Sequence, residues 1–166
     1  GVKYQNAYFN TYPGIWHHGD FIKITDYGSV KIYGRSDAAL NPGGVRIGTA
    51  EIYRVVEAID EINDSLVIGQ SWEGDQRIVL FIKMRTGFSF TDELVSQLKN
   101  TIQSQCSPRH VPSIILEVKD IPYTINGKKV EIAVRKIIER QPVGNKDALA
   151  NPGSLDLYKN IPELKE

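Results

Sequence analysis

Four short stretches of the sequence carry residue types that bind or polarise oxygen-rich ligands: "GD" at 19–20, "GRSD" at 34–37, "GGVR" at 43–46 and "NGKK" at 126–129. Asp20 follows a glycine at the start of a β-prone run. Its two carboxylate oxygens can accept hydrogen bonds from a sugar diol, although a turn aspartate capping its own backbone has the same local pattern. Arg35 ends another such run. Its guanidinium suits ribose or phosphate oxygens, and suits a surface ion pair with Asp37 equally well. Gly43 and Gly44 permit positive φ or the close passage of a ligand, with the charge of Arg46 beside them. A tight turn ahead of a helix needs the same glycines. Lys128 follows the Asn126-Gly127 turn signal. On a loop tip it can be merely solvated, or it can reach into another domain's active site and offset charge on a transferring phosphoryl group. Two lysines at a helix start are mildly disfavoured by the helix dipole, which argues for a purpose.

Other chemistries are disfavoured. His17 and His18 are adjacent, and adjacent strand residues point to opposite faces, so no metal site is expected. Neither G-x-x-x-x-G-K-[ST] nor G-x-G-x-x-G occurs, which excludes a standard P-loop and argues against a dinucleotide fold.

The elements that must position these residues follow from periodicity. "FIKIT" and "VKIYG" around "DYGS" predict a hairpin. Ile52, Val55, Val56 and Ile59 mark one helix face, with Thr49 as its expected N-cap. "SLVIGQSW" and "RIVLFIKM" around "EGDQ" predict a second hairpin or meander. Thr91 caps a helix carrying Leu94, Val95, Leu98 and Ile102, with Phe90 and Val95 at staple spacing. "SPRHVP" ends that helix, "SIILEVK" is a strand, and "IPYTINGKK" is a turn-rich loop. Val130, Ala133, Val134 and Ile137 mark a last helix. From Gln141 onward, prolines and glycines without helical periodicity predict an extended or partly disordered tail. The expected fold class is α+β, a small sheet with helices packed on it, and the first ~35 residues have little to bury.

The bulk numbers bound the function class. The 166 residues suffice for one ordinary domain. Twenty basic residues balance twenty acidic ones, so charge points to neither nucleic acid nor an anionic membrane. No apolar run approaches the ~20 residues of a membrane span. Cys106 is the only cysteine, which rules out an intramolecular disulfide and favours a cytoplasmic setting. The start, "GVKYQNAYFNTYPG", is neither a signal nor a transit peptide and reads as the middle of a longer chain.

The order of the four stretches is more specific than any one of them. Gly-Asp, then Gly-Arg-x-Asp, then Gly-x-Arg-Ile before a Glu-Ile helix, then Pro-x-Thr-x-x-Gly-Lys resembles the C-terminal portion of the adenylate-forming superfamily over residues 16 to about 140. That superfamily holds acyl-CoA synthetases, luciferases and peptide-synthetase adenylation domains. Within it, "IWHHGDF", "GRSDAALNPGGVRIGTAEIY" and "NPGSLDLYKNIPEL" are similar to the branch that activates acetoacetate. The acetate and propionate enzymes share "GTAEI" but not that tail.

The resemblance implies an acid–thiol ligase with ATP and CoA as substrates, and magnesium riding with ATP without a recognisable site in this stretch. It implies that residues 1–36 end a large adenylation domain, residues 37–140 form a mobile lid and residues 141–166 are a tail. The partners it implies are small molecules and the large N-terminal domain of the same chain. It assigns Asp20 to the ATP ribose hydroxyls with Arg35 in support, Arg46 to the nucleotide phosphate, Asp37 to the hinge, Gly43 and Gly44 to the CoA pantetheine tunnel, and Lys128 to adenylation. The triphosphate loop and acyl pocket of the superfamily lie outside this sequence. Some relatives carry an arginine for the CoA phosphate where Gln103 stands here, with Arg109 nearby. Another short-chain acyl-CoA synthetase, or a non-enzymatic module reusing the lid fold, are the alternative readings.

Overall fold

The run Ile78-Val79-Leu80-Phe81-Ile82 is apolar at every position, which suits a strand covered on both faces. The computed structural model, which describes residues 1–144 and 146–165, places it at the centre of a three-stranded sheet. Strands β3 (Ile62–Trp72) and β4 (Asp75–Met84) form an antiparallel hairpin. Its tight turn has positive φ at both Glu73 and Gly74, as a right-twisted two-residue hairpin turn demands. Strand β5 (Ile114–Glu117) pairs parallel to β4 on the other side. Helix α3 (Asp92–Gln105) makes the crossover between them. The Thr91 hydroxyl accepts from the Leu94 N–H at 3.2 Å and caps α3 as the sequence predicts.

Side-chain alternation along β4 divides the core in two. Ile78, Leu80 and Ile82 face helix α2 (Thr49–Val56) and α3, packing with Ile52, Val55, Leu94, Leu98 and Ile102. Val79 and Phe81 face the other way with Leu66 and Ile68 of β3. They meet Val134 of helix α4 (Glu131–Ile138) together with Leu155, Tyr158 and Leu164. The domain is therefore α+β in three layers, with helix α2 and α3 on one side of the sheet and α4 plus the C-terminal segment on the other.

That C-terminal segment corrects the expectation of an extended or disordered tail. Residues Pro152–Tyr158 and Pro162–Leu164 are 3-10 turns. Side chains three apart line up in such turns, and Leu155, Tyr158, Ile161 and Leu164 are spaced by three. All four pack against the second face. The Tyr158 ring meets Phe81 edge-on at 4.9 Å, and its hydroxyl donates to the Asp120 carbonyl at 3.0 Å. The Asp120 carboxylate accepts from Lys83 Nζ and from Asn151 Nδ2, each at 2.7 Å. Gln70 Nε2 donates to the Leu164 carbonyl at 2.9 Å.

Upstream, strands β1 (Asp20–Ile24) and β2 (Val30–Arg35) form the separate, largely exposed hairpin predicted from sequence. It is preceded by a short helix, α1 (Val2–Tyr8), that carries no periodic signal. Apart from Gly19, no described residue before Ala38 is buried. The hairpin meets α2 at its first turn. Gly48, not Thr49, is the N-cap of α2. A Cβ on Gly48 would lie 2.4 Å from the Tyr33 carbonyl oxygen, so only glycine admits the β2 backbone there. Thr49 is displaced into the first helical position, and the Glu51 carboxylate accepts from the Gly48 N–H at 3.3 Å. No helix among the described residues is long and apolar enough to cross a membrane.

Two outcomes follow for the tail. Tyr158→Ala removes a fully buried aromatic ring and is expected to cost about 3–5 kcal/mol, read as a lower urea midpoint with little change in slope. Asp120 gives a pH signature. Partial burial pushes its pKa up, but the hydrogen bonds from Lys83 and Asn151 outweigh this and hold it below the usual carboxylate range. A depressed folded pKa adds stability above the unfolded value of about 4 and loses it as pH falls through the folded one. Denaturant midpoints measured against pH should therefore fall less steeply below about pH 4 in Asp120→Asn than in the parent.

Candidate functional site

Hairpin pairing brings the first two candidates together. Asp20 and Arg35 are direct cross-strand partners at the open end of β1–β2. The Asp20 carboxylate is 2.7 Å from His18 Nδ1 and is partly buried. Arg35 forks onto Asp37, with Nε to Oδ1 and Nη2 to Oδ2 each at 3.2 Å. These bonds hold the guanidinium above its ordinary pKa. Both partners are about half exposed, so the surface ion pair weighed from sequence is present. Its net contribution to stability is small. Ser36 closes the strand end, its N–H and its hydroxyl both donating to the Gly19 carbonyl. His17 and His18 are held apart by different neighbours, His17 edge-on to Tyr12 and His18 to Trp16.

The glycine pair sits in a short loop closed by mutual backbone hydrogen bonds between Leu40 and Ile47, both fully buried. Gly43 and Gly44 have φ of 57° and 74°, left-handed values that explain the residue type. The β3–β4 turn props this loop. The Asp75 carboxylate accepts from the Gly43 N–H at 2.9 and 3.1 Å, and Gln76 Oε1 accepts from the Asn41 N–H at 2.6 Å. Arg109 stands over Gly43, so that a Cβ there would lie 2.9 Å from Nη1. Arg46 turns back to the hairpin, its guanidinium 5.5 Å from the centre of the Phe21 ring. Asp20, Arg35 and Arg46 thus gather around the hairpin, while Gly43 and Gly44 lie at the tip of the main sheet with Arg109.

Lys128 is placed on a different loop. Thr124–Gly127 forms a turn, with the Gly127 N–H donating to the Thr124 carbonyl at 2.8 Å and the Lys128 N–H to Thr124 Oγ1 at 3.0 Å. Tyr123 and Lys129 bridge across its base. The Lys128 side chain is exposed and forms no ion pair among the described residues. Lys129 is its opposite. Its ammonium donates to Glu57 Oε1 at 2.5 Å, Asp64 Oδ1 at 2.6 Å and the Ser65 carbonyl at 2.5 Å, and lies 4.3 Å from the Tyr53 ring centre. All three of its protons are used.

The carboxylates and phenols around Lys129 were not found from sequence. Burial pushes the Tyr53 hydroxyl pKa well up, and that group donates to Glu131 at 3.0 Å. Burial likewise raises the Glu131 pKa, and the charge of Asp37 adds to the rise, which puts the predicted hinge residue within electrostatic reach of the α4 N-terminus. A signal for Lys129 was available: neighbouring residues on a turn arm point to opposite sides, so one lysine of the pair must face inward.

The two lysines should separate in stability. Lys129→Ala strips a largely enclosed cation from Asp64, 15% exposed, and from the more exposed Glu57, and is expected to cost about 1–3 kcal/mol. Lys128→Ala should stay within about 0.5 kcal/mol of the parent. Chemical denaturation of the two variants side by side checks the contrast.

No protein-family model matches the chain. It is similar to the acetoacetyl-coenzyme A synthetase of Rhizobium meliloti (strain 1021), 54% identical over 99% of this chain and 25% of that protein. It is 53% identical to the acetoacetyl-CoA synthetase of Danio rerio over the same shares. Among solved structures, acetoacetyl-CoA synthetase from Streptomyces lividans superimposes with a TM-score of 0.86 at 40% identity, covering 95% of this chain and 24% of that one. The chain thus spans about a quarter of the length of the curated relatives it matches.

Proposed function

We propose that the chain belongs with the acetoacetyl-CoA synthetases of the adenylate-forming superfamily, which it resembles over nearly all of its length, and that it is the C-terminal part of an enzyme that joins acetoacetate, ATP and CoA into acetoacetyl-CoA, AMP and pyrophosphate. The acetoacetate carboxylate attacks the α-phosphorus of ATP and pyrophosphate leaves. The thiol of CoA then attacks the acyl carbon of the mixed anhydride and AMP leaves. Magnesium arrives with ATP as part of that substrate, and the setting is cytoplasmic.

The observation that carries this reading is the contrast at Lys128 and Lys129. A cation held at the tip of an ordered turn, with its neighbour fully engaged below, is available to a group outside this domain. In the first half-reaction Lys128 bridges the carboxylate and the α-phosphate and offsets the charge that builds on the phosphorus oxygens. Asp20 accepts from the ribose hydroxyls with Arg35 beside it, and Arg46 approaches the nucleotide phosphate.

For the second half-reaction, residues 37–140 rotate as a lid about Asp37, a hinge-type change. The Arg35–Asp37 fork is exposed and worth little, so it offers small resistance. Lys128 withdraws, and the Gly43–Gly44 loop takes its place along the path of the pantetheine arm. The left-handed glycines let the loop backbone itself line that path, with the Arg109 guanidinium over Gly43.

The test is made in the full-length enzyme. Lys128→Ala should lower acetoacetate-dependent pyrophosphate exchange by about a hundredfold or more, while thioester formation from supplied acetoacetyl-adenylate stays within about twofold of the parent. Equal loss in both half-reactions would make Lys128 a structural residue and defeat the assignment. Exchange supported by acetate or propionate in place of acetoacetate would move the substrate to another short-chain acid. The 166-residue chain by itself should show no exchange, because reacting groups from a second domain are needed to position the substrates.

A further inference from the structure

Lys128 itself makes few contacts, so its aim depends on the turn that carries it. Both ends of that turn converge on one carboxylate. Asp64 on β3 accepts from the Tyr123 hydroxyl at 2.7 Å through Oδ2 and from Lys129 Nζ at 2.6 Å through Oδ1. Tyr123 and Lys129 are the two residues that pair across the base of the turn. Asp64 is itself fixed, since its Oδ1 also accepts from the Ser65 N–H at 2.8 Å. It sits in the sheet, its side chain only 15% exposed. A single rigid group therefore grips the loop on each side of Lys128.

We propose that Asp64, with Tyr123 and Lys129, is a positioning clamp for the adenylation lysine: it fixes the base of the turn and so aims Lys128, without touching substrate. The proposal rests on the adenylation role of Lys128 given above. Backbone bonds join the arms of the turn to each other and to the 148–151 stretch, and the two side-chain ties to Asp64 set its tilt against the sheet. A displacement of about 1 Å at a reacting group can cost about a hundredfold in rate. The clamp matters only while Lys128 is in use, so its loss should fall on adenylation and spare thioester formation. A purely structural role would lower both half-reactions, or neither once folding is complete.

The cleanest probe is Tyr123→Phe in the full-length enzyme, which deletes one hydroxyl and keeps the ring and the backbone bridge. Acetoacetate-dependent adenylation, followed in single turnover, should fall about tenfold or more. Thioester formation from supplied acetoacetyl-adenylate should change less than about twofold. Asp64→Asn should show the same split. The decisive arm is Lys128→Ala combined with Tyr123→Phe. Because Tyr123 acts through Lys128, the double variant should adenylate no more slowly than Lys128→Ala alone, a fully non-additive cycle. Additive losses, an unchanged adenylation rate in Tyr123→Phe, or equal loss of both half-reactions would each overturn the clamp. If Lys128→Ala adenylates normally, the reading of Lys128 has failed. If Lys128→Ala is defective and Tyr123→Phe is normal, only the clamp has failed.

Discussion

Strand β4 is buried on both faces from Ile78 to Ile82, and the arrangement of the domain follows from that. A strand with no solvent side needs a cover above and below. Helices α2 and α3 supply one. The other is built from α4 and from the C-terminal segment, which contributes Leu155, Tyr158 and Leu164 where a second helix would otherwise lie. Two carboxylates near this double core are well partnered. Asp120 anchors the tail through Lys83 and Asn151, and Asp64 anchors the Lys128 turn through Tyr123 and Lys129.

The candidate residues sit outside the covered sheet, on parts of the chain that it holds at arm's length. The glycine loop hangs between buried Leu40 and Ile47 and is steadied by the Asp75 carboxylate at the β3–β4 turn. The Lys128 turn hangs between β5 and α4. Each is a short exposed segment with rigid ends, the kind of place where binding residues are commonly carried. The β1–β2 hairpin is different in kind. Its Ile22, Ile24, Val30 and Ile32 are exposed, and it meets the rest through the narrow approach of Tyr33 to Gly48 and through Arg46 against the Phe21 ring.

Much of this was legible in the residues. The hairpin, the Thr91-capped helix, the paired central strands and the last helix all follow from period-2 and period-3.6 patterns. Three features escaped for physical reasons. The tail packs with a period of three, which a search for helical periodicity passes over. Thr49 is the better capping residue by type, but the close approach of the Tyr33 backbone demands glycine one position earlier. Lys128 and Lys129 read as one cationic pair, although turn parity separates them into an exposed and a largely enclosed side chain. The uninterrupted apolar run of β4 already required a second cover, and that requirement, applied to Leu155, Tyr158 and Leu164, identifies the tail as core. The distant partners of Asp64 and Asp75 had no sequence signal, because they are joined across 32 to 65 positions.

The tail also sets the order of events in time. The bond from Gln70 to Leu164 and the contact of Phe81 with Tyr158 join residues far apart along the chain, whereas the β3–β4 hairpin and α3 are built from neighbours. Closing a long loop costs chain entropy that local structure does not, so local structure comes first. The face covered by α2 and α3 is thus expected to form first, with the tail closing over the other face after the rate-limiting barrier. Interactions absent at that barrier govern how fast the native state opens rather than how fast it forms. The last stretch of chain then works as a latch on the lifetime of the folded domain. Stopped-flow measurements on a tail variant would register this as faster unfolding at an unchanged folding rate.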